Sequence, residues 1–229
     1  MTHGSLFSGI GGFELGAQES GIETLWNCEI NDFNRNELKR LFPNSKQYDD
    51  IKKMFNPEPV DIVSGGFPCQ NISLAACRNR SGVDGDKSGL WREMLRVCCE
   101  VKPGYIIIEN SSTITKHGFN IILNEFAKIG YDAEWQTLCG YQFGIPQRRR
   151  RLYAVFYTSG LGDGMAQGQV FSRWYKPVYP AWRDTEPKIY GMADVIPNRV
   201  DKRTALGNAV QPVIAHYIFE CIKQHSQRT

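Results

Sequence analysis

Residues 60–73 read Val60-Asp61-Ile62-Val63-Ser64-Gly65-Gly66-Phe67-Pro68-Cys69-Gln70-Asn71-Ile72-Ser73. The run 60–64 has the length and β-branched content of a short buried strand, and two glycines end it. The loop after such a strand lies at the rim where α/β sheets hold ligands. Cys69 therefore stands at that rim, not inside the apolar run where an inert core cysteine would more naturally sit. Pro68 fixes the backbone before it, and Gln70 offers amide groups after it. From these residues alone Cys69 is either a nucleophile or an inert thiol, and both readings stand.

The rest of the chain supplies the sheet around that strand. Further strands are predicted at residues 4–8, 22–28, 105–109, 132–138 and 152–157, and helices at 13–19, 32–41, 89–101 and 118–129. This alternation implies an α/β fold: a doubly wound, mostly parallel open sheet with helices on both faces. Too few βα units are present for a closed barrel. Between residues 158 and 202 the texture changes to glycine-rich sequence and then to Trp174, Tyr175, Tyr179 and Trp182 interleaved with prolines. A helical pattern returns with Val213, Ile214, Tyr217, Ile218, Cys221 and Ile222. Residues 1–157 and 203–229 are thus expected to form one domain, and 158–202 a very small second subdomain.

Composition bounds the possibilities. With 41% hydrophobic and 22% charged residues in a chain of 229, the sequence suits a folded α/β domain and not an extensively disordered one. The net charge of +3 does not by itself point to nucleic acid. The distribution of charge is more informative, since basic residues cluster at Arg148–Arg151 and at Arg199, Lys202 and Arg203. Seven cysteines without any CxxC pair support neither a zinc site nor a disulfide framework, and no metal is expected. The adjacent Cys98 and Cys99, in an apolar helical stretch, are expected to be core thiols. No signal peptide or membrane-spanning run is evident, so a monomer in a reducing cytoplasm, with no membrane partner, is expected.

Gly9, Gly11 and Gly12 follow the first strand and open a helix, where they allow a tight turn and close approach of a ligand to backbone N–H groups. Glu14 occupies the place of the third glycine of a dinucleotide GxGxxG, which counts against a nicotinamide enzyme. Glu29, about twenty residues further on at the end of the second strand, can accept the hydroxyls of a ribose. Asp50 can accept an adenine amino group. Each is singly a turn glycine or a solvated carboxylate, but together they describe an adenosine pocket.

Several segments, in order, resemble the conserved blocks of the DNA cytosine-5 methyltransferase family. These are Leu6-Phe7-Ser8-Gly9-Ile10-Gly11-Gly12, the acidic turn at Glu29, Asp50-Ile51 and Gly66-Phe67-Pro68-Cys69-Gln70. They continue with Glu109-Asn110, Pro146-Gln147-Arg148-Arg149-Arg150-Arg151 and Ala205-Leu206-Gly207-Asn208-Ala209-Val210-Gln211-Pro212. The resemblance covers about residues 4–157 and 203–220. It implies a Rossmann-like fold of the S-adenosylmethionine-dependent type, with S-adenosylmethionine as cofactor and duplex DNA as partner. In that likeness Phe7, Gly9, Gly11, Gly12, Glu29, Ile30, Asp50, Ile51, Gly66, Leu90, Asn208 and Val210 would hold the cofactor. Ile30 stands where the family often has a large aromatic residue.

The same resemblance makes Cys69 the nucleophile, Glu109 the group at ring nitrogen 3 and Arg151 the group at the ring carbonyl. Arg149 would support the nucleophile's loop or the phosphate backbone. Glu109 would need a raised pKa from a confined site in order to share a proton with the ring. Where the family has Glu-Asn-Val, this chain has Glu109-Asn110-Ser111. Gln70 and Ser73 would lie near the DNA, with Arg78, Arg80, Lys87, Arg148 and Arg150 at phosphates. The interval 158–202 would be a miniature target-recognition region. It implies a short or relaxed site of roughly two to four base pairs and fits a compact phage or prophage enzyme. Two rivals are a tRNA cytosine-5 methylase, which the short interval favours, and a catalytically silent DNA- or cofactor-binding protein.

Overall fold

The computed structural model describes residues 1–68, 89–116, 118–145, 149–158, 170–171 and 209–227. Cys69, Gln70, Ser73, Arg78, Arg80, Lys87, Arg148 and Asn208 lie outside them, as does most of 158–202. The strands are β1 (Thr2–Leu6), β2 (Glu23–Cys28), β3 (Lys46–Tyr48), β4 (Ile62–Gly65), β5 (Tyr105–Ser111), β6 (Tyr131–Cys139) and β7 (Arg150–Thr158). The α-helices are α1 (Gly12–Glu19), α2 (Asp32–Leu41), α3 (Leu90–Val101), α4 (Phe119–Lys128) and α5 (Pro212–Ser226).

The strands form one sheet in the order β3-β2-β1-β4-β5-β7-β6. The first five are parallel, and β7 runs antiparallel to both β5 and β6. Helices α3 and α4 cover one face, through Met94, Val97, Phe119, Ile122 and Phe126. Helices α1 and α5 cover the other, through Phe13, Ala17, Ile214, Ile218 and Ile222. With both faces buried, the interior strand segment Tyr105-Ile106-Ile107-Ile108 is apolar without alternation, as a sandwiched parallel strand must be.

Two expectations need correction. The strand predicted at 60–64 spans Ile62–Gly65: Asp61 is exposed and its carboxylate accepts the N–H of Thr2 at 2.7 Å. Gly65 stays in the strand because it pairs with Leu6 on one side and Ile108 on the other. The short strand expected just before Asp50 is β3, which pairs in parallel with Trp26–Cys28. Cys98 is a core thiol, but Cys99 is exposed, because successive residues on a helix point about 100° apart.

Candidate active site

The register of the parallel strands places the candidate residues in one row. Leu6 pairs with both Cys28 and Gly65, and Gly65 pairs with Ile108. The residues that follow these ends, Phe7 to Gly12, Glu29, Gly66 and Glu109, therefore stand side by side along the carboxyl edge of the sheet. The chain reverses order there between β1 and β4, the crevice where open α/β sheets bind ligands.

The turn after β1 is built for close approach. Phe7, Gly9 and Gly11 all have positive φ, and Gly9 has open space where a Cβ would be. The N–H of Gly9 donates to Oε2 of Glu29 at 2.7 Å, and that of Asn31 donates to Oε1 at 2.8 Å. Two amides thus fix the Glu29 carboxylate while each oxygen keeps a lone pair for a further donor. Arg35 locks the same turn by donating to the carbonyls of Glu29 and Ile30. Ile30, a large apolar side chain beside this turn, is 74% exposed.

The neighbouring wall is Asp50-Ile51. Asp50 caps a short 3₁₀ turn by accepting the N–H of Lys52 at 2.9 Å, and Ile51 is buried. Arg96, on α3, donates to the carbonyl of Ile51 at 2.7 Å while paired with Glu93 and Glu100. Sequence reasoning missed this tie, although the Glu93-Arg96-Glu100 spacing places all three on one helix face. Half-buried Leu90 opens α3. From the C-terminal segment, the Val210 carbonyl lies 2.3 Å from where a Cβ on Gly12 would be, so only glycine admits that strand of backbone.

A second cluster of candidate residues lies between β4, β5 and β7. Antiparallel pairing sets Glu109 opposite Tyr153 and Ser111 opposite Arg151, which makes Glu109 and Arg151 diagonal neighbours. The Nε of Arg151 is 3.3 Å from Glu109 Oε1, and Nη2 of Arg149 is 3.9 Å from it. These are ion pairs without hydrogen-bond alignment: among the described residues the buried Oε1 receives no hydrogen bond. Burial pushes the Glu109 carboxyl above its ordinary value, and Arg149 and Arg151 pull it back. Gly66 passes so close that a Cβ there would lie 3.0 Å from Glu109 Oε2. Arg149 also donates to the carbonyl of Ala209, tying the start of β7 to the C-terminal segment. Arg150 is exposed on the opposite side of the strand, as alternation requires.

Asn110 has a part the sequence did not show. Its Nδ2 donates to the carbonyl of Phe67 at 3.0 Å, and its Oδ1 accepts the N–H of Ser111 at 2.8 Å. The amide therefore fixes the backbone that leads through Pro68 into residue 69. The Ser111 that replaces the family's valine hydrogen-bonds Thr113 at 2.9 Å, so the hydroxyls at this turn have partners.

A seven-stranded sheet of this order, with its one reversed strand and a glycine turn facing an acidic residue, defines the Rossmann-like fold of S-adenosylmethionine-dependent methyltransferases. Solved structures agree on the fold. A DNMT2 mutant from Spodoptera frugiperda aligns with a TM-score of 0.60 at 20% identity, covering 73% of this chain and 53% of that one. A methyltransferase encoded within an E. coli prophage aligns with a TM-score of 0.60 at 23% identity, covering 73% and 49%. The chain belongs to the C-5 cytosine-specific DNA methylase family, whose sequence model matches residues 1–179. It is 34% identical to the Type II methyltransferase M2.BsuMI of Bacillus subtilis over 65% of this chain and 40% of that protein. It is 35% identical to M.Bsp6I of Bacillus sp. over 68% and 51%. The chain therefore spans about half the length of these curated relatives.

Among the described residues no cluster of His, Cys, Asp and Glu is arranged to hold a metal, and no helix is long and apolar enough to cross a membrane.

Proposed function

We propose that the protein methylates carbon-5 of cytosine in duplex DNA, with S-adenosylmethionine as the methyl donor and Cys69 as a covalent nucleophile. The observation that carries this reading is the buried, hydrogen-bond-free Oε1 of Glu109 between two guanidinium groups, under the glycine turn that leads to Cys69. A buried carboxyl held in that state is suited to share a proton with a ring nitrogen.

The residues present fit the cofactor. Open space at Gly9, the fixed Glu29 carboxylate and exposed Ile30 offer a phosphate-free cradle for a nucleoside. When bound, S-adenosylmethionine supplies an electrophilic methyl group. Glu29 would hold the ribose, Asp50 and Ile51 the adenine edge, Phe7 and Ile30 its faces, and Leu90, Asn208 and Val210 the remaining wall.

Cytosine carbon-5 is a poor nucleophile until the ring is activated. Thiolate addition from Cys69 to carbon-6 pushes an electron pair toward carbon-5, and a proton at nitrogen 3, shared with Glu109, neutralises the ring. Arg151 would bind the ring carbonyl oxygen and Arg149 would hold Glu109 and the C-terminal segment in place. After carbon-5 is methylated, loss of its proton to a base expels the Cys69 thiolate, so the enzyme returns unchanged. A base inside a duplex cannot reach such a crevice, so it must flip out of the stack. Gln70, Ser73, Arg78, Arg80, Arg148 and Arg150 are proposed to contact the DNA, and the interval 158–202 to read a short or relaxed site. The relatives named as Type II methyltransferases favour a restriction-modification or phage setting.

The test is transfer of labelled methyl to mixed-sequence duplex DNA and to tRNA by wild type and Cys69→Ala. Label in DNA cytosine that vanishes with Cys69→Ala is the expected result. Label in tRNA alone would overturn the DNA assignment, and transfer to neither with the cofactor still bound would favour a silent binding protein.

A further inference from the structure

The interval between β7 and α5 is not joined to the sheet only at its two ends. Val170 and Phe171 are buried in the core on the α1–α5 side, with exposures of 1% and 3%. Their backbone N–H groups donate to one carboxylate on β6: Val170 to Glu134 Oε1 at 3.0 Å and Phe171 to Oε2 at 3.4 Å. Tyr157 stands beside that carboxylate, and burial followed by the charges of Glu134 and Asp132 keeps its hydroxyl above its ordinary value. Glu134 belongs to none of the motifs discussed above, and β6 is an edge strand, so nothing about the sheet itself requires a carboxylate at this position.

We infer that Glu134 is a positioning residue for the nucleic-acid substrate: by capturing the N–H groups of Val170 and Phe171 it pins these two residues to the catalytic sheet. The inference rests on the DNA methylation reading. Its physical basis is loop closure. A segment held only at residues 158 and 209 must lose more conformational freedom on meeting DNA than one pinned in between. The described part of the chain after β7 thus has two ties to the sheet, Phe171 at Glu134 and Ala209 at Arg149. Val170 and Phe171 pack within the same core cluster as Phe13, Ile214 and Ile218.

Wild type, Glu134→Gln and Glu134→Ala, as full chains, would be compared in three measurements. Hydrogen exchange at Val170 and Phe171 reads the anchor, calorimetry reads S-adenosylmethionine affinity, and steady-state transfer to duplex DNA separates KM from kcat. Loss of two hydrogen bonds to a charged acceptor is expected to expose both amides and to raise KM for DNA about tenfold in Glu134→Ala. Glu134→Gln, which keeps one acceptor oxygen, should fall between, with kcat and cofactor affinity unchanged in both. Retained protection in Glu134→Ala would overturn the anchor. Lost protection with an unchanged KM would overturn its role in substrate binding. A joint fall in cofactor affinity and kcat would reduce Glu134 to a folding residue. A wild type that transfers methyl to tRNA would overturn the DNA reading alone, since the same comparison then runs on tRNA. A wild type binding no nucleic acid would overturn both.

Discussion

Glu14→Gln is expected to flatten the pH dependence of stability between pH 4.5 and about 7, the two ends of this carboxyl's shift. The side chain lies in the first turn of α1 and is fully buried. Burial is the main cause of its raised pKa, with the nearby Ser8 and Ser5 hydroxyls pulling the other way. Below pH 4.5 both folded and unfolded chains carry the proton, and the full stability is present. Above it the unfolded chain releases its proton while the folded one retains it, so stability is lost until the folded group ionises near 7. At 1.36 kcal/mol per unit, a rise from 4.5 to about 7 corresponds to a loss of about 3 kcal/mol.

Glutamine has no such titration. Any cost of burying its amide is the same at every pH, so the change of the difference between the two proteins isolates Glu14. Urea unfolding of both at about pH 4.5 and about pH 8 should show the variant gaining about 3 kcal/mol on wild type across that interval. A difference that stays constant to within about 0.5 kcal/mol would refute the reasoning, because it would mean that Glu14 ionises in the folded protein as it does in the unfolded chain.

Two further outcomes are expected. Gly12→Ala should lower S-adenosylmethionine affinity at least about tenfold in calorimetry, because the new Cβ would meet the Val210 carbonyl at 2.3 Å and displace the closing segment; unchanged affinity would refute the close approach. Asn110→Leu should lower kcat about tenfold with cofactor affinity intact, since the Phe67 carbonyl loses its 3.0 Å partner and residue 69 its fixed approach; an unchanged kcat would show that the approach is held elsewhere.

The sequence by itself determined most of the elements. Helix α2 was legible to the residue because Asn31 caps it by accepting the N–H of Asn34, and an Asn before a polar first turn is a local signal. The apolar core of β5 and the glycine turn after β1 are likewise written in neighbouring residues. What only the tertiary structure decided is which distant groups meet. Glu109, Arg149 and Arg151 converge because β7 runs antiparallel beside β5, a pairing no local pattern specifies. The same holds for Asn110 on Phe67, for Arg96 on Ile51 and for Arg149 on Ala209, each a side chain reaching a backbone carbonyl far away in sequence. Backbone carbonyls are identical at every residue, so such contacts leave no mark in the sequence. Glu134 is the clearest case: as a charged residue on an edge strand it reads as solvated surface, and only the fold brings two amides of the variable interval to its carboxylate.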